Sequence, residues 1–174
     1  MGRVEKGIVM LTPEQNVAHF LIECGQMVDA HVIRKLTVLG EECVKRVRDR
    51  SASESWIDHT GNLRSSIGYS VISKGKPIKT GGFNRTSAPD GSGAEGIIEG
   101  KNYIEQVMRF YYQDYALVVV AGMNYADEVE ALDNKDVLAS TELWAKSVWA
   151  TYQKELKADI KKQIKSLESK YGLA

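Results

Sequence analysis

Two long runs of helical spacing bracket this chain, and they limit its fold more than any other feature. Val17, Leu21, Cys24, Val28, Val32, Leu36, Leu39, Cys43 and Val47 recur every three or four residues, which is the period of one helix face. Thr12-Pro13-Glu14-Gln15 stands in front of them and reads as a capping box, with Thr12 as N-cap, Pro13 first and Gln15 third. The pattern predicts one helix from about Pro13 to Arg50, with Gly25 and Gly40 as weak points where it could bend. Trp144, Val148, Tyr152, Leu156, Ile160, Ile164, Leu167 and Tyr171 predict a second helix from Ser140 to near Gly172. At 174 residues the chain is one domain by length. A domain of that size cannot cover so long a helix from end to end, so part of the apolar stripe is left to meet another subunit.

Between the helices the period changes. Ala116-Leu117-Val118-Val119-Val120-Ala121 is a short apolar run rich in β-branched residues, and it predicts a strand buried on both faces. After Gly122, Tyr125, Ala126, Val129 and Leu132 return to helical spacing, with Asn124 in the N-cap position and Asp127 and Glu128 in the first turn. Gly68 to Ser73 alternates and reads as a half-buried strand. Lys74 to Pro77 is a turn, and Ile78 to Phe83 a returning edge strand. Gly61, after Thr60 in a polar linker, is expected to take a positive φ. Residues 84–98 hold Gly, Ser, Pro and Ala with few large apolar residues; so long a loop is expected to be mobile or functional. Tyr103, Val107, Phe110 and Tyr111 predict a helix from about Glu99 to Tyr112, and Val137-Leu138 a short edge strand. The order predicts an α+β fold, a small and mostly antiparallel sheet flanked by two long helices.

Charge and cysteine content narrow the function. Lys and Arg total 23 and Asp and Glu total 23; this balance argues against a dedicated nucleic-acid binder. No apolar run approaches the ~18 residues of a membrane span. The opening MGRVEKGIVMLTPEQ holds too short an apolar stretch for a signal peptide, which predicts an intracellular origin. Cys24 and Cys43 lie on one predicted helix, about 28 Å apart at the helical rise, far beyond disulfide reach.

The clusters that could carry chemistry are few. The glycine-rich Gly91 to Gly96 lacks the Lys-Ser/Thr of a phosphate loop and does not follow a strand. His19, His31 and His59 have no metal-ligand spacing, and no cofactor is expected. Asp127, Glu128 and Glu130 could serve as acid and base in a small hydrolase, or cap a helix and face water. Lys154, Lys157, Lys161 and Lys165 form one basic stripe. That stripe fits either a DNA-binding face or a solvated one.

Two stretches together carry a likeness. Thr60-Gly61-Asn62-Leu63-Arg64-Ser65-Ser66-Ile67 has the pattern TG-x-L-R-x-S-I, with Thr60, Gly61, Leu63, Arg64, Ser66 and Ile67 in the motif positions. Tyr125, Ala126, Val129 and Glu130 fill the pattern YA-x-x-VE after a strand that ends in Gly. In this order, between a long N-terminal and a C-terminal helix, they resemble the head–tail joining and minor tail-completion proteins of long-tailed bacteriophages. The chain differs in lacking the Pro-Phe-rich segment after the VE and in having a longer insertion, from about Lys74 to Tyr112. The resemblance implies a non-enzymatic virion component that assembles as a ring with itself and with other connector or tail proteins. The acidic helix and the lysine stripe are then expected to meet across neighbouring subunits.

Overall fold

The computed structural model describes residues 13–51, 55–112, 114–132 and 135–173. The fold is α+β. Helix α1 runs from Glu14 to Arg48 and a single turn, α2, from Asn62 to Ser65. Strands β1 (Ile67–Ser73) and β2 (Lys76–Gly82) form a hairpin. Lys74 and Gly75 both take positive φ at its turn, the geometry that matches strand twist in a two-residue loop. Helix α3 (Ala94–Val107) ends in a 3-10 turn, Met108–Phe110. Strand β3 (Ala116–Ala121), helix α4 (Ala126–Ala131) and helix α5 (Ala139–Tyr171) complete the chain.

The sheet is antiparallel in the order β2-β1-β3. Its centre is therefore the alternating strand. β1 is buried on both faces up to Ile72, whereas the apolar run 116–121, expected in the middle, is an edge and only partly covered. The reason lies in what each face meets. Ile67, Tyr69 and Val71 point towards α1 with Leu117, Val119 and Ala121. Ile72 points the other way with Val118 and Val120, against Ile104 of α3 and Phe83. Helices thus cover both faces, and small residues on β1 make room. Gly68 sits where a Cβ would be 2.4 Å from the Phe83 ring. Gly40, read as a weak point in α1, does the same for Tyr69: a Cβ there would stand 2.4 Å from that ring.

Helices α1 and α5 lie antiparallel. Phe20 meets Tyr171 edge-on, Lys35 pairs with Glu155, Tyr152 donates to Glu42, and Arg46 stacks over Trp144. α5 packs chiefly on α1, and Thr141 is its one buried residue among those described. In α1 nothing before Leu36 is buried. The paired helices are half-covered for much of their length.

Other expectations differ from the structure in instructive ways. α3 begins at Ala94, not near Glu99, because Gly96 lets its backbone close on α2; a Cβ there would lie 1.9 Å from the Asn62 carbonyl oxygen. That leaves residues 84–93 as the loop, tied by Arg48 to Asn84 O and Thr86 Oγ1 and by the Thr86 N–H to Ser65 Oγ. Val137-Leu138 form no strand; their N–H groups point to a carboxylate. Helix α4 follows Tyr125, and Asn124 makes no capping bond. The capping box of Thr12 lies outside the described residues, as do Met1 to Leu11 and part of the turn at Asp133-Asn134.

Candidate assembly surfaces

The motif residues fold into one corner. Gly61 has φ 75, and its Cβ position is 2.0 Å from the Thr86 carbonyl oxygen, so only glycine fits. Thr60 Oγ1 accepts from the Asn62 N–H, which starts α2. Leu63, Ser66 and Ile67 are buried, and Ser66 Oγ donates to Leu63 O. Arg64 lies over the Trp56 ring at 4.8 Å and donates to the Arg48 carbonyl, one of the four that a helix end leaves open. Burial, and then the neighbouring Arg50 charge, push the Arg64 guanidinium down from its ordinary value despite the nearby Asp58. The second motif comes to the same place. Thr60, Leu63, Tyr125 and Val129 line one groove of about 450 Å³, and Ala126 is buried beside it. Burial raises the Tyr125 phenol, offset in part by its bond with Thr60.

The acidic cluster is divided. Asp127 and Glu128 are exposed, but Glu130 turns inward. Its carboxylate accepts from the N–H groups of Leu138 at 2.7 Å, Val137 at 3.0 Å and Ala139 at 3.2 Å. Glu130 therefore caps α5 from a separate helix and is not available as a rim charge. Asp136 adds a bond to the Ser140 N–H and an ion pair with Arg50. Burial works to raise the Asp136 carboxyl, but Ser140 and Arg50 together hold it below its ordinary value. Lys154, Lys157, Lys161 and Lys165 are all exposed on α5, as the spacing required.

A second surface was not foreseen. α1, β3 and α5 enclose an open cleft of about 860 Å³, lined by Leu36, Leu39, Leu117, Val119, Trp149 and Leu156 among others. It exists because α5 rests on α1 and leaves space beside β3. Cys43 also lines it, and burial pushes that thiol up to about 11. Both cysteines are free, as their separation on the helix demands.

Among the described residues no three His, Cys, Asp or Glu side chains stand close enough to share a metal ion, and no helix is long and apolar enough to cross a membrane. No family model, curated protein or solved structure matches this chain.

Proposed function

We propose that this protein is a structural, non-catalytic component of a phage or prophage particle, assembling as a ring at the head–tail junction or tail end. The observation that carries the reading is the half-covered pair α1–α5, a long apolar stripe closed on one side only and opening into the cleft beside β3. Apolar surface of this extent is ordinarily matched by a partner. The two motif stretches, some sixty residues apart, build one corner, as expected if they belong to one family signature. A closed ring needs two different surfaces that fit each other. The exposed Asp127 and Glu128 and the lysines of α5 are of opposite sign and lie on separate elements. In this reading the partners are copies of the chain and other connector or tail proteins, and the protein resides in the virion and, during assembly, in the host cytoplasm.

The test is to purify particles of the phage or induced prophage that encodes the chain, probe them for it, and mix free protein with tail tubes lacking it. Stoichiometric presence and ring density at one tube end are expected. Absence from purified virions would overturn the reading. A salt-sensitive shift of duplex DNA that depends on the exposed lysine stripe would support a DNA-binding protein in its place.

A further inference from the structure

We propose that the outer edge of β3 receives an extended strand from a different polypeptide, laid between β3 and α5. Register locates the open hydrogen-bonding groups. The Gly122 N–H donates to Ser66 O at 3.2 Å, so the pairs Val120–Gly68, Val118–Ser70 and Ala116–Ile72 are the bonded ones. On the other side the Phe83 N–H donates to Ile67 O, which gives the odd-numbered residues of β1 to β2. Leu117 and Val119 accordingly turn their N–H and C=O groups away from β1. No strand among the described residues pairs with that edge.

The two edges of the sheet are built differently. β2 carries Lys76, Pro77 and Lys79 and is exposed along most of its length, which is how sheets discourage further pairing. β3 has no charge, proline or glycine. Its edge opens on the cleft, where Leu36 and Leu39 of α1 and Trp149 and Leu156 of α5 provide apolar contacts. A strand beside β3 gains main-chain bonds from Leu117 and Val119 and places alternate side chains among those residues. Charge sets its chemistry further. Exposed Asp127 stands by the Ala121 end of β3, and exposed Lys157 lines the cleft at the Leu117 end. The fitting segment has apolar residues at alternate positions, a cation near Ala121 and an anion near Leu117. None of the strands among the described residues carries that pattern of a cation at one end and an anion at the other, and this charge pattern assigns the donor to another protein. This inference stands apart from the phage reading, and either can fail alone.

The experiment is amide hydrogen exchange by NMR on the whole chain, alone and with millimolar acetyl-Lys-Val-Thr-Val-Thr-Glu-amide. In the free protein, Leu117 and Val119 should exchange about tenfold or more faster than Val118 and Val120. The peptide should slow Leu117 and Val119 selectively. Val119→Pro removes only an outward N–H and should abolish that protection; should it disturb folding, Leu117→Lys tests the same edge by charging the cleft. Equal protection of all four amides in the free protein, no protection by the peptide, or undiminished protection in a folded variant would each overturn the proposal. Protection that grows with protein concentration and no peptide would overturn the assignment to a different chain.

Discussion

Glu130, on α4, holds the first turn of α5 through the Leu138 N–H at 2.7 Å and two further backbone donors. A carboxylate at a helix N-terminus satisfies open donors and opposes the helix dipole at once. Replacing it with Ala should cost about 2 kcal/mol, read as a lowered urea midpoint. Gln should recover part of the loss, since one oxygen still accepts. An unchanged midpoint for the Ala variant would refute the capping role.

Gly61→Val should be worse. The φ of 75 is unfavourable for a β-branched residue, and the added Cβ would press on the Thr86 carbonyl at 2.0 Å. A loss of roughly 2 kcal/mol or more is expected, with the 84–93 loop the first segment to become sensitive to protease. A melting temperature equal to the parent's would contradict this.

Alkali should loosen α1. Three tyrosines donate to carboxylates on it: Tyr69 to Glu41, Tyr115 to Asp29 and Tyr152 to Glu42. Burial, then the Glu42 bond, raises Tyr152 from 10.0 to about 12; at Tyr115 the Asp29 bond leads and burial follows, to about 12. A raised folded value means the fold favours the protonated phenol. That stabilisation is complete below pH 10 and is lost as pH rises through about 12. Urea midpoints should fall across this window, and Tyr152→Phe should show a shallower fall. Parallel slopes in the two proteins would remove Tyr152 from the account.

Charge reversal at Lys157 and Lys161 should slow incorporation of the protein into particles and make it less dependent on salt. Rim charges act on encounter more than on final affinity. Glu130 takes no part in this pairing, because its carboxylate is already committed to α5. Asp127→Lys with Glu128→Lys should give the same phenotype, and normal incorporation of both double variants would end the charge-pairing idea.

How much of this was legible in the sequence depends on the range over which each feature is decided. The limits of α1, α5 and β3 follow local periodicity and were read almost to the residue. The position of β3 in the sheet was not, because the burial of a strand is decided by its neighbours. β1 looks half-polar, yet Gly68 makes room for the Phe83 ring and the Ser70 hydroxyl is satisfied by Lys79 O and Thr80 Oγ1 of β2. The glycines at 91, 93 and 96 read as a flexible loop, yet a Cβ on Gly93 or Gly96 would press on Ser65 or Asn62 of α2. Nothing local marks Glu130 as a cap, since it lies eight residues before the N–H of Leu138. The cleft depends on where α5 settles against α1, a relation between the two ends of the chain that no short window contains.

That relation also orders events during synthesis. Lys35 is made 120 residues before its partner Glu155. At about 5–20 residues per second the delay is roughly 6 to 24 s. For most of that time the stripe of α1 that α5 will cover has no partner, and the sheet on its other side is complete only once β3 has been made. Each nascent chain therefore passes through a stage in which its first helix is open to chaperones, or to the first helix of a neighbour on the same messenger.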